Sequence, residues 1–381
     1  MTNYQNEDDV YSSLLLKSTI DDINNDIYNN KSFYLEENSS YDNNISKNNN
    51  NNTNKIKNNY NIHKMLNIKI NNISIFSNID IKYLSPTYEF TLKELDIVLQ
   101  KLKGYFFQLM IGKNSNYFIT NLIINATKKQ KLYILSEIYP MIDILAINEY
   151  GSHPLQTLIE KASSKDEIIM IINAITVKNK LIEISKNEYG TYVIQKIICY
   201  FNENFRNKVN KIILNNIVEL CNDMFGVCVI KKFINNSHNY DCIYFLLITF
   251  INNFVYISEN QFGNYAIQIF IDKISINENL IYVLEKQIFL NFLRLSIHRF
   301  GSRVIEKYID NIKKKKKRKI LELLWAKGLI FHIIVNKYGK YVISKLLNGF
   351  NSEKRKDLLN IFSSIKSYDN IKESNFVNFE L

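Results

Sequence analysis

Asn264 and Gln268 stand four residues apart, with Tyr265 beside the first. Ser302 and Glu306 repeat that spacing, with Arg303 in the place of the tyrosine. Ser152 and Gln156 flank His153, and Thr191 and Gln195 flank Tyr192, in the same arrangement. Residues four apart on a helix are neighbours, one turn above the other. At about 100° per residue, Thr191, Tyr192 and Gln195 fall at about 0°, 100° and 40° and share one face. Each unit thus offers two adjacent hydrogen-bonding groups and a third group at the rim. Two such polar groups can grip the edge of a flat base, while the neighbouring aromatic, histidine or arginine stacks on its face. Repeated, the units make a ladder of stacking and hydrogen-bonding groups.

The frame around these groups recurs six times: an aromatic residue, a glycine, then a helical pentad. The pairs are Tyr150-Gly151, Tyr189-Gly190, Phe225-Gly226, Phe262-Gly263, Phe300-Gly301 and Tyr338-Gly339. Their glycines fall 39, 36, 37, 38 and 38 residues apart, and a weaker copy, Ser115 to Thr120 with Asn116 and Tyr117, lies 36 before Gly151. A period in that range means an array of stacked helical units. The polar residues change from copy to copy while the frame does not, as expected of an array that reads a variable ligand unit by unit.

The elements that hold these groups follow from periodicity. Each unit is expected to have a longer apolar helix, a short polar break, and the helix carrying the pentad. In the unit of Thr191, the residues Val193, Ile194, Ile197 and Ile198 should form the core. Leu92, Leu95, Val98, Leu99 and Leu102 recur at three- and four-residue steps, an amphipathic stripe expected to cap the array's N-terminal end. Residues after Phe350 are expected to cap the other end, frayed beyond Lys372. The aromatic before each glycine reads as a core anchor between units. Pro154 requires its helix to start at about Ser152.

Composition agrees with an all-helical body: 46% apolar residues with only three prolines and ten glycines. Residues 1–60 hold 5 Lys against 9 Asp and Glu, a net of −4, which leaves +15 of the total +11 on the rest. A basic array suggests a polyanionic partner. Residues 1–60 are Asn-rich and too polar to offset their ordering entropy, so a disordered tail is expected. Residues 61–90 are a linker or degenerate cap, 91–372 the repeat domain and 373–381 a tail. No N-terminal signal segment is read at Met1–Val10, and no apolar run near 18 residues is present, so no membrane span is expected. Cys199, Cys221, Cys228 and Cys242 lack CxxC spacing and read as reduced, buried and structural, with no metal site. Lys196, Lys232, Lys307 and Lys345 follow the pentads and are either phosphate contacts or solvated. The Lys313–Lys319 run resembles a nuclear localisation signal or nucleic-acid patch, and reads more simply as an exposed loop between units.

These pentads, over about residues 91–360, resemble the repeats of the Pumilio (PUF) family of RNA-binding proteins. The resemblance implies an all-α, right-handed, crescent-shaped solenoid of about seven recognisable repeats plus capping helices. In that family each repeat binds one base of single-stranded RNA through two or three side chains of one helix, the chain running antiparallel to the RNA. It implies that Asn264 and Gln268 read uracil with Tyr265 stacking. Ser302 and Glu306 would read guanine with Arg303 stacking, and Ser152, His153 and Gln156 would read adenine. A carboxylate accepts from the N1–H and N2–H of guanine, and an amide suits the mixed edge of uracil. Counted from the C-terminal unit these fall in register with the family's usual target, which begins UGUA, then any base, A and U. Lys340 and Ser344 depart from the uracil pattern, although Tyr341 can stack. Val227, Cys228 and Lys231 lack amide or carboxylate groups, Thr191 with Gln195 is ambiguous, and Asn116 with Thr120 is a weak uracil candidate.

The implied function is binding of a UGU core in mRNA 3′ UTRs, with cytoplasmic post-transcriptional control through translational repressor or deadenylase factors. Two alternatives stay open: a nuclear or nucleolar PUF-like protein binding ribosomal precursor RNA without base readout, and an armadillo-like protein scaffold. No phosphate loop, HExxH or nucleophile context is present, so neither an enzyme nor a cofactor is expected.

Overall fold

The computed structural model describes residues 79–84, 88–177 and 179–369. They lie in one compact unit, Asn72–Leu381. The tails expected over 1–60 and 373–381, and most of the 61–90 segment, fall outside the described residues.

The described residues form a stack of three-helix repeats. The pentad helices are Ser115–Asn125, Ser152–Lys161, Gly190–Tyr200, Gly226–Asn236, Gly263–Ile274, Gly301–Asp310 and Gly339–Leu347. They define repeats 1 to 7, and each packs on the one before and the one after. Every repeat also holds a short leading helix and a longer trailing one. In repeat 5 these are Phe254–Ser258 and Glu278–Leu290. The expected pattern of two helices per unit therefore needs a correction. The apolar segment before each pentad is not one helix but two, and the break has local causes. Asn216, Asn253 and Asn291 each end one helix and begin the next. Their side-chain amides donate to carbonyls four residues back, on Ile212, Thr249 and Gln287. Elsewhere the chain turns through left-handed backbone at Asn179 and Gly328, conformations that Asn and Gly tolerate best.

The ends of the array are closed as expected. The helix Leu92–Lys101 opens it with a capping box between Thr91 and Glu94. Leu95, Val98, Leu99 and Leu102 are buried, whereas Leu92, in the first turn of that helix, is 62% exposed and leaves the expected stripe. Ser352–Asp369 closes the far end. One continuous apolar core runs from Ile79 to Phe362 and includes Val193, Ile194, Ile197 and Ile198. Each fully buried aliphatic side chain contributes about 1.5–3 kcal/mol relative to exposure.

Three further expectations change. The lysine run is helical: Lys314–Ala326 is the trailing helix of repeat 6, and Lys316 pairs with Glu285. The apolar residues Ile320, Leu321 and Leu324 pull the run into that helix by burying its far turns. Cys199 is exposed rather than buried, Cys228 is half-buried, and Cys221 and Cys242 lie in the interior. The aromatic residues before the glycines are half-buried, so they anchor only in part. Among the described residues no helix is long and apolar enough to cross a membrane.

Candidate nucleic-acid interface

The pentad helices of repeats 2 to 7 start by the same device. Asn148, Asn187, Asp223, Asn260, His298 and Asn336 stand three residues before the glycine. Each accepts, through one side-chain atom, the backbone N–H groups of both the aromatic residue and the glycine. Two donors that a helix start leaves unpaired are thus satisfied. His298 does this through Nδ1, 3.2 and 3.1 Å from the Phe300 and Gly301 nitrogens. These caps escaped the sequence reading, although the Asn-x-aromatic-Gly spacing carries them in plain view.

The glycines serve close approach. A Cβ on Gly190 would lie 2.3 Å from the Ile184 carbonyl oxygen, and one on Gly339 2.2 Å from that of Ile333. In every repeat from 2 to 7 the obstructing residue is the one six positions earlier. Repeat 1 has Ser115 at this place, and its hydroxyl donates to the matching Leu109 carbonyl at 2.7 Å. The pentads are therefore held at one fixed height on the short helices.

On this platform the three variable positions have distinct environments. The first is buried: Asn116, Ser152, Thr191, Val227, Asn264 and Ser302 all lie at 5% exposure or less. The second projects: Tyr117, His153, Tyr192, Tyr265, Arg303 and Tyr341 are exposed. The fifth lies between. Pro154 fits because its helix begins at Ser152.

First and fifth positions meet as the spacing requires. Gln268 donates Nε2 to Asn264 Oδ1 at 2.9 Å. Asn264 in turn donates to the carbonyls of Asn260 and Gln261, so its oxygen is the group turned to Gln268. Gln195 donates to the Thr191 hydroxyl at 3.1 Å, and that hydroxyl donates across the repeat boundary to the Phe225 carbonyl. In repeat 3 the first position thus abuts the following repeat. In repeat 6 the Glu306 carboxylate accepts from Arg303 at 3.3 Å. Burial raises the Glu306 pKa above its ordinary value, against the opposing pull of Arg303 and Lys345. Ser152 donates to the Glu149 carbonyl. In repeat 1, Asn116 donates to the Gly112 and Lys113 carbonyls, and Thr120 to the Asn116 carbonyl.

The projecting groups communicate between repeats. The Arg303 guanidinium lies 5.5 Å over the Tyr341 ring, and Lys340 also reaches that ring, at 5.1 Å. Lys231 lies 5.9 Å over Tyr265. The row is a line of aromatic and cationic faces above buried polar edges.

Three of the four lysines after the pentads are ion-paired to the preceding repeat rather than simply solvated. Lys196 pairs with Glu160, Lys307 with Asp272 at 2.6 Å, and Lys345 with Asp310 at 2.7 Å. Each partner belongs to the preceding pentad helix. Lys232 has Cys199 at the corresponding place, where no carboxylate is available.

The fold and this row define a helical-repeat binding protein. Profiles of the Pumilio-family RNA binding repeat match residues 105–139, 143–176, 180–209, 216–242, 253–281 and 291–324. The chain belongs to the Pumilio family. Repeat 7 lies beyond these matches and is seen in the fold. Suppressor protein MPT5 of Saccharomyces cerevisiae is 26% identical over 183 residues, covering 46% of this chain and 21% of that protein. Pumilio homolog 12 of Arabidopsis thaliana is 24% identical over 178 residues, covering 46% and 29%. The matches thus span less than a third of either relative. Among solved structures, the Puf4 RNA-binding domain bound to HO endonuclease RNA 3′ UTR recognition sequence superposes with a TM-score of 0.62 at 25% identity, covering 72% of this chain and 85% of that one. PUF-8 in complex with PBE-RNA gives a TM-score of 0.63 at 19% identity over 73% and 81%. The family is one of RNA-binding repeats, not of enzymes.

Proposed function

We propose that the row of pentads binds single-stranded RNA one base per repeat and that repeats 6 and 5 read the G and second U of a UGU core. The observation that carries this is the pairing of first and fifth positions beside an exposed stacking group. Gln268 keeps its amide oxygen and a second N–H for a base, a donor and acceptor side by side that match N3–H and a carbonyl of uracil. Glu306 offers acceptors alone, matching the N1–H and N2–H of guanine. Tyr265 and Arg303 stand where the base faces would stack, each stack worth about 1–3 kcal/mol.

Such a chain is a regulator of mRNA, acting in the cytoplasm on 3′ UTR elements through translational repressor or deadenylase factors. The relatives' names and RNA-bound structures support the binding half of this reading; the regulatory half follows the family resemblance.

The test is fluorescence anisotropy of the full chain with ten-nucleotide RNAs carrying UGU or ACA at the core, in about 150 mM salt. Tenfold or greater loss on the change to ACA, at least ~1.4 kcal/mol, is the expected result. Equal binding to both would leave a backbone binder of the ribosomal-precursor type. Binding to neither would leave a protein scaffold.

A further inference from the structure

Repeat 4 departs from its neighbours in one respect that has a chemical consequence. Its first position is Val227, buried and without a polar atom, and its fifth is Lys231. Lys231 is half-buried and has no carboxylate within ion-pair distance among the described residues. Its ammonium instead lies 5.9 Å over the ring of Tyr265, the stacking residue of repeat 5. Arg303, a second-position residue, likewise reaches Tyr341 of the following repeat, so a cationic side chain of one pentad can lie over the second position of the next. A base held at the rim of repeat 4 would therefore present its edge to Lys231.

We propose that Lys231 makes repeat 4 select a base with an unprotonated ring nitrogen on its pairing edge, cytosine first and adenine second, over uracil and guanine. This rests on the RNA reading above. An ammonium has donors only and carries full positive charge. Cytosine presents two adjacent acceptors, N3 and O2. Adenine presents one, N1, beside an amine. Uracil and guanine place an N–H, at N3 and N1, in the middle of the edge. That proton would point at the ammonium, and Val227 offers no acceptor to receive it. A desolvated N–H left unpaired is the costlier outcome. The contrast with repeats 5 and 6 is systematic: a mixed amide at Gln268, acceptors alone at Glu306, donors alone at Lys231.

The experiment measures binding of the full chain to five RNAs: UGUN, with each of the four bases at N, and the same RNA with ACA for UGU. The wild-type chain is expected to bind the cytosine RNA at least fivefold tighter than the uracil and guanine RNAs, with adenine between. Lys231→Gln should bring uracil to within twofold of cytosine, and Lys231→Glu should make guanine the best base. Circular dichroism of both variants checks that the helices persist. A flat response at N, with the ACA RNA still weakened, overturns the role of Lys231 and leaves modular reading intact. Five equal affinities overturn both.

Discussion

The Glu306 carboxylate lies 3.3 Å from the guanidinium of Arg303, and the same guanidinium sits 5.5 Å over Tyr341 of the next repeat. One cation thus holds the hydrogen-bonding group of its own unit and the stacking group of its neighbour. Glu306 is only 8% exposed, and burial raises its pKa.

Glu306→Gln should therefore act on recognition and stability in opposite directions. An amide cannot accept both guanine N–H groups, so affinity for UGU RNA should fall tenfold or more, with preference moving toward uracil at that base. The buried charge disappears, so Tm should hold or rise. The wild-type pH dependence follows from the sign of the shift. The folded state holds the proton more tightly than the unfolded chain, so the ionised Glu306 costs stability at neutral pH. That cost fades as pH falls through the raised pKa toward the ordinary 4.5, while guanine affinity falls with it. Anisotropy and thermal melts across that window, with the Gln variant as control, read both. A guanine preference unchanged in the variant would sink the assignment.

Lys307 and Asp272 tie repeat 6 to repeat 5, with side chains 32% and 45% exposed. Such a pair is screened by solvent, and a double-mutant cycle should give a coupling of about 0–1 kcal/mol. RNA affinity of Lys307→Ala should stay within twofold, with the salt slope unchanged. A slope lower by about one unit would mean that Lys307 touches a phosphate after all.

Gly190→Ala should be among the most damaging small substitutions in the array. Its Cβ would meet backbone oxygen at 2.3 Å, which cannot give way as a side chain can. A loss of about 1–3 kcal/mol is expected, as for overpacking elsewhere. Gly301→Ala should cost less, because its nearest obstruction is the Leu295 side chain at 2.8 Å, with the carbonyl at 3.1 Å. Thermal melts that rank the two in the other order would contradict the close-approach account.

Asn260→Ala removes a cap that accepts two backbone N–H groups, at 2.8 and 2.9 Å, and should cost about 1 kcal/mol, within a range of about 0.5–2. His298→Asn should restore the amide oxygen used in four other repeats and hold or raise Tm, whereas His298→Ala should lower it. Equal melts for the two His298 variants would show that the imidazole does not cap.

Much of the array was legible because its frame is periodic. The glycine spacing gave the repeats, and the i, i+4 spacing correctly brought Gln268 to Asn264 and Gln195 to Thr191. What periodicity misses is local or lies between units. The splitting of the apolar segments depends on single residues such as Asn253, whose amide back-bonds to Thr249. The ion pairs of Lys307 and Lys345 join residues 35 apart, which no local pattern exposes. The lysine run looked like a loop because its charge masks the apolar spacing of Ile320, Leu321 and Leu324. The caps, by contrast, were readable and overlooked, because Asp223 and His298 vary the residue while keeping the role.

Thr191 donates to the carbonyl of Phe225 of the following repeat, and the first pentad positions of repeats 1 to 6 are all buried. Among the described residues no pentad helix follows repeat 7, and there the first position holds the long, half-exposed Lys340. The two letters of each unit therefore differ in how freely they can drift. The buried first letter admits only compact side chains, while the fifth accepts amide, carboxylate and ammonium alike. On the proposed base-by-base reading, a lineage of such chains would change its RNA target chiefly by single substitutions at the fifth letter, one nucleotide at a time, without rebuilding the array.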